Sequence, residues 1–132
     1  EQVKIWRRSY DVPPPPLSPD DPTHPSHDPR YADVPRDELP SGESLATTLT
    51  RVMPVWEEHL APILMGNRDL LIAAHGNSIR ALAKHLFRIG DADITGLEIP
   101  TGNPLAIQLD QQLRPTSARY LDKERASPLP KL

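Results

Sequence analysis

The sequence predicts an α/β protein, and three observations carry that expectation. A short continuous apolar run, Leu70 to Ala74, reads as a strand buried on both faces. Amphipathic helical patterns flank it on both sides, and a polar elbow, His75-Gly76-Asn77-Ser78, joins it to the second of them. An alternating stretch from Leu105 to Leu109 then supplies a further strand. Helix, buried strand, polar turn and helix in succession is how a sheet covered by helices appears in one dimension.

The elements follow in order. Val3, Ile5 and Trp6, set among Lys4, Arg7 and Arg8, fit the last turns of a helix. Residues 9 to 40 form one long connection that contains ten of the chain's 17 prolines and seven acidic residues, so regular helix or sheet is excluded there. Within it, His27-Asp28-Pro29-Arg30-Tyr31 mixes aromatic, cationic and turn-forming side chains, which favours an ordered covering loop over a free tail. From Ser41 the pattern becomes helical through Leu45, Leu49, Val52, Met53, Trp56 and Leu60, with Ser41 or Gly42 as the expected cap and Glu43 in the first turn. Pro54 and Pro62 should kink or end that helix. After the elbow, Ile79, Leu82, Ala83, Leu86 and Phe87 mark the second helix. A short helix around residues 92–97, a turn at Pro100 to Pro104, and a hairpin partner for the 105–109 strand near Arg119 to Leu121 complete the expectation.

Composition narrows the chemistry. A chain of 132 residues supports one core at most, and its 37% hydrophobic content makes that core thin. With no cysteine, a disulfide framework, a thiolate nucleophile and a cysteine-ligated zinc are excluded. The longest apolar run is far too short to cross a bilayer. A net charge of -3, from 15 basic and 18 acidic residues, offers no bulk field for nucleic acid or an anionic membrane. Any anionic ligand must be held locally.

Two places could do so. Ligands of open α/β sheets sit beyond the carboxyl ends of strands, where the following helix presents free N–H groups. His75 stands at that edge, Gly76 permits close backbone approach, and Asn77 can donate from its amide; equally, His75 can be a plain edge residue and Asn77 an N-cap. The adjacent guanidiniums of Arg7 and Arg8 are suited to bidentate recognition of carboxylate or phosphate, although two arginines at a helix end also serve as solvated dipole partners. His24 and His27 form a weak metal pair with no evident third ligand, so no metal is expected. His59 and His85 fall on partly exposed helix faces, and Glu43 reads as a helix-start carboxylate.

Five segments, Glu1 to Tyr10, His27 to Ala32, Leu39 to Leu45, Ala73 to Ser78 and Ile99 to Gly102, closely resemble in this order the cofactor-dependent phosphoglycerate mutases of the histidine phosphatase superfamily. The resemblance runs from residue 1 to about Leu121. It implies a three-layer α/β/α fold, of which residues 1–121 would be a C-terminal part lacking the N-terminal strands, with 9–40 as a covering loop and 122–132 as a short tail. It implies interconversion of 3-phosphoglycerate and 2-phosphoglycerate through a phosphohistidine enzyme primed by 2,3-bisphosphoglycerate, in glycolysis and gluconeogenesis. His75 would be the second histidine, stabilising the phosphoryl group in transfer. Gly76, Asn77, Arg7 and Arg8 would hold the substrate. The family also leads to a small anionic phosphoglycerate as partner, a cytoplasmic location and a homo-oligomer as full-length protein.

One departure matters. The family's phosphorylated histidine lies in an Arg-His-Gly motif after the first strand, whereas the single His-Gly here is preceded by Ala74. The nucleophile and the glutamate acid/base are therefore expected upstream of Glu1, and the chain alone is expected to be inactive and marginally stable. The Ser127 to Leu132 tail looks shorter than the family's, which puts lid closure in question. Two other readings remain: a phosphatase of the same superfamily, and a polyproline II docking segment at Pro13 to Pro19.

Overall fold

The computed structural model describes the backbone of all 132 residues and every side chain except those of Lys4, Arg7 and Arg8. Helix α1 (Gln2–Arg8) is followed by the long connection, then α2 (Leu45–Val55), a π-turn at Trp56–Leu60, α3 (Ala61–Met65), α4 (Gly76–Leu86), and an antiparallel hairpin of β1 (Leu105–Leu109) and β2 (Pro115–Tyr120). The class is mixed α/β, as the sequence predicts, and consistent with part of a phosphoglycerate mutase-like fold.

The connection is ordered by its own polar side chains. Its 3-10 turns at Pro25–His27 and Pro29–Tyr31 are capped by His24 and Asp28, each accepting a backbone N–H two residues on. His24 is buried, with Nδ1 on the Ser26 hydroxyl (2.8 Å) and Nε2 on the Ser41 hydroxyl (3.1 Å). His27 Nε2 bonds the Pro19 carbonyl (3.0 Å). Both imidazoles are thus committed, and among the described residues no group of three or more His, Asp or Glu could hold a metal. The proline run itself lies on the protein: Leu17 N–H donates to Ser41 O (2.8 Å), and a Cβ at Gly42 would stand 3.6 Å from Pro14 O.

Helix α2 starts one turn later than the Ser41 or Gly42 cap. Ser44 is the cap, because Thr47 closes a reciprocal box with it: Thr47 N–H donates to Ser44 Oγ (3.2 Å) and Ser44 N–H to Thr47 Oγ1 (3.0 Å). Pro54 lies inside α2 and does not end it. Pro62, which cannot donate and whose ring crowds the carbonyl four residues back, follows a wider turn in which Ala61 N–H reaches Trp56 O. The expected break therefore takes the form of a π-turn.

Helices α2 and α4 pack together. Leu45, Ala81, Ala83, Ile94 and Leu97 form one cluster, with Tyr10, Leu49 and Phe87 against it; Trp56, Ala61 and Leu82 form the other, joined by Leu86 and Leu109. Lys84 is buried at the end of α4, where Nζ donates to Ile89 O (2.6 Å), pairs with Asp91 (2.7 Å) and lies 4.8 Å above the Tyr10 ring. Ala46 N–H bonds Tyr10 O (2.9 Å), so the segment after α1 is fastened to the start of α2.

The strand expected at Leu70 to Ala74 does not form. Arg68 to His75 carries no regular structure, and Leu71 is 90% exposed. A strand exists only through a ladder, and the one sheet among the described residues consists of β1 and β2. The short helix expected over 92–97 is a single 3-10 turn at Ile94–Gly96. The hairpin partner begins earlier than Arg119: Leu105 faces Tyr120 and Leu109 faces Pro115, with an irregularity at Gln108/Leu109. Asp110 makes that hairpin tight by accepting the N–H groups of Gln112 (2.9 Å) and Arg114 (2.8 Å). In the turn before β1, Gly102 takes φ +70°, and buried Asn103 links it to the tail through both directions of its amide with Asp122 (2.8 and 3.0 Å).

The accessible surface is 9642 Å², against about 6,900 Å² for a compact globular chain of this mass. Much apolar surface stays in water, including Leu71, Ile72 and Met65.

Ile94 is fully buried at the centre of the first cluster, so Ile94→Ala should destabilise by about 2–5 kcal/mol; an unchanged midpoint in denaturant unfolding would contradict that packing. The Arg30 guanidinium, assisted by its own backbone N–H, holds the Asp28 carboxyl down to about 2. A lowered folded-state value means that its contribution is present above about pH 4 and is lost as pH falls through about 2. Carboxyl-carbon NMR titration should find Asp28 there and find it raised toward the ordinary range, but still below it, in Arg30→Ala, where the backbone N–H bond persists; an unperturbed Asp28 in the parent protein would show the pair to be unformed.

Candidate functional site

The elbow is built by α4. His75 is its N-cap in extended conformation (φ -65°, ψ 151°), and the first helical bond runs from Ile79 N–H to His75 O (3.1 Å). The N–H groups of Gly76, Asn77 and Ser78 therefore have no acceptor within the helix, and its positive dipole end lies at the same place. Asn77 is the second residue of the helix, not its cap. A Cβ at Gly76 would meet nothing within 4 Å, so internal packing does not demand the glycine; the open space lets a ligand reach the backbone. His75 is exposed and makes no capping bond of its own.

Beside the elbow is a small depression lined by Trp6, Ser9, Glu43, Leu45, Asn77, Arg80 and Thr95. Trp6 and Ser9 bracket Arg7 and Arg8, whose side chains lie outside the described residues. The two regions singled out by sequence, the end of α1 and the start of α4, thus share one recess. His75 and Gly76 are at its edge in sequence but do not line it.

The polar groups in the recess are arranged by charge. Glu43 is not a free first-turn carboxylate: Arg51 donates to it through both Nε (2.7 Å) and an NH2 group (2.9 Å). That fork raises the Arg51 guanidinium further above its ordinary value and sets a cation against the one carboxylate lining the recess. Arg80 donates from Nε to Leu97 O (2.8 Å) and from a terminal nitrogen to Asn77 Oδ1 (2.7 Å). Thr95 turns its hydroxyl back to Ala92 O (3.1 Å). A helix N-terminus with open backbone donors, a carboxamide and a guanidinium, beside a neutralised carboxylate, is suited to an oxyanion and poorly suited to a cation.

The model of the histidine phosphatase superfamily (branch 1) matches residues 18–116, three quarters of the chain. This chain belongs to the histidine phosphatase superfamily. Its relatives include proteins named 2,3-bisphosphoglycerate-dependent phosphoglycerate mutase: one from Nitratidesulfovibrio vulgaris is 60% identical over 92% of this chain and 48% of its own length. One from Hyphomonas neptunium is 58% identical and one from Caulobacter vibrioides 59%, each over the whole of this chain and 54% of the relative. The chain spans about half the length of the curated relatives it matches.

In this histidine phosphatase chain, Arg80 is, like Ser9 and Thr95, a recess residue that the sequence does not single out. Its position three residues after Asn77 puts both on one helix face, a signal available from spacing alone. Its second acceptor, the Leu97 carbonyl, lies 17 residues away and has no local signature. No helix among the described residues is long and apolar enough to cross a membrane.

Proposed function

We propose that these residues form the substrate-holding, second-histidine part of a 2,3-bisphosphoglycerate-dependent phosphoglycerate mutase. The observation that carries this reading is the convergence of the α4 N-terminus with the end of α1 on one recess that favours anions. Relatives of that name at 57–60% identity support it. Gly76, Asn77 and Ser78 offer backbone N–H groups to phosphate or carboxylate oxygens, and Asn77 adds a side-chain donor. Arg7 and Arg8, on the last turn of α1, hold the anionic groups of the same molecule. His75, exposed at the helix mouth, donates to the phosphoryl oxygens as charge builds on them, which lowers the barrier more than it tightens ground-state binding.

The donor set fits 2,3-bisphosphoglycerate as well as either monophosphate, since all three are small polyanions with a carboxylate. When bound, it supplies the phosphoryl group that primes the enzyme. The nucleophilic histidine is not assigned to this chain, in which the single His-Gly follows Ala74 and no Arg-His-Gly occurs. These 132 residues therefore hold and stabilise rather than attack, and are inactive without a nucleophile from elsewhere in the protein. A cytoplasmic, homo-oligomeric enzyme of glycolysis and gluconeogenesis is the setting we propose for it.

The intact protein, assayed with 3-phosphoglycerate and 2,3-bisphosphoglycerate, should interconvert the two monophosphates faster than it releases phosphate; dominant phosphate release would make it a phosphatase of the same superfamily. His75→Ala should lower kcat by about 100- to 1000-fold while binding of 3-phosphoglycerate changes little. Full turnover in that variant would remove His75 from the chemistry.

A further inference from the structure

We propose that Arg80 is a positioning residue that sets which way the Asn77 carboxamide faces. The inference rests on the reading above, in which Asn77 touches the substrate, and adds what makes that contact possible. A carboxamide has an accepting oxygen and a donating NH2 group on nearly isosteric arms, so an unrestrained asparagine presents either one. Only the NH2 group attracts an oxyanion.

A guanidinium settles the choice because it can only donate. Arg80 donates to Asn77 Oδ1 at 2.7 Å, so the opposite rotamer would set NH2 against N–H. The arginine is itself fixed: Nε donates to Leu97 O at 2.8 Å, the group is half-buried, and the bonds to Leu97 and Asn77 reach different elements. Its planar fork is thereby held in one orientation, and the Asn77 oxygen is held with it. The NH2 arm is left for the recess that Asn77, Arg80 and Thr95 line together. Arg80 has a second effect of the same sign, since drawing on the carboxamide oxygen polarises the amide and strengthens its N–H donors.

Calorimetric binding of 3-phosphoglycerate to the intact protein tests this with four variants, each melted in parallel. Asn77→Ala should weaken binding about 10- to 100-fold, the loss expected for one hydrogen bond to a charged group. Arg80→Met, which keeps the stem and removes the donors, should weaken it about two- to fivefold, the cost of a carboxamide free to face either way together with the lost polarisation, and in turnover KM should rise with kcat held. The double variant should bind as Asn77→Ala does, because without the carboxamide Arg80 has nothing to orient. Asn77→Asp keeps an acceptor for Arg80 and should melt no lower than the parent, yet bind at least as weakly as Asn77→Ala. Losses that multiply in the double variant would make Arg80 a direct ligand and overturn the proposal, as would parental binding by Arg80→Met or by Asn77→Asp. Parental binding by Asn77→Ala would instead overturn the substrate contact itself. Should Arg80→Met fail to fold, Arg80→Gln, which can accept as well as donate and so no longer fixes the carboxamide, takes its place with the same expected loss.

Discussion

The packing of α4 against α2 is the constraint on which the rest of the structure depends. Ala81 to Lys84 are all buried, so α4 is covered around its circumference at that turn, and small residues at 81 and 83 let the helix approach Leu45, Ile94 and Leu97 closely. Fixing that helix fixes where its first turn points, and with it the open N–H groups of Gly76 to Ser78. The same contact orders the rim of the recess. Glu43 lies just before the α2 cap, Arg51 on α2 reaches back to it, and Thr95 follows the buried Ile94. Site geometry is in this sense a by-product of core packing.

Lys84 extends the constraint to the other half of the site. A buried ammonium is costly unless it is bonded, and here a carbonyl, a carboxylate and an aromatic face share it. The aromatic is Tyr10, two residues beyond the arginine pair, and its carbonyl also receives the Ala46 N–H. The chain leaving α1 is thus bonded to both principal helices, which brings Trp6 and Ser9 beside Asn77 and Arg80.

Legibility from sequence follows the range of each interaction. The apolar periodicities of α2 and α4 and the alternation of β1 are local, and each appears where the pattern places it. The cap of α2 is displaced from Ser41 to Ser44 because its box is closed by Thr47, where Glu or Gln is the more usual partner, and because Ser41 is occupied by His24 and Leu17. Leu70 to Ala74 has the composition of a buried strand, but composition cannot provide a ladder, and the described residues contain no neighbour for it. Of the site, the elbow was legible because a strand-like run meeting His-Gly-Asn is a local signal. The Arg80 bond to the Leu97 carbonyl was not, since it depends on where the chain returns after folding, and the Glu43–Arg51 fork depends on how the segment before the α2 cap lies along that helix.

The most direct test of an anion seat at the elbow is hydrogen–deuterium exchange of the intact protein with and without 3-phosphoglycerate. Slowed exchange at the amides of Gly76, Asn77 and Ser78, together with the segment from Trp6 to Ser9 and no change in the β1–β2 hairpin, is the expected result. Saturating substrate that leaves the amides of the first turn of α4 unprotected would contradict it.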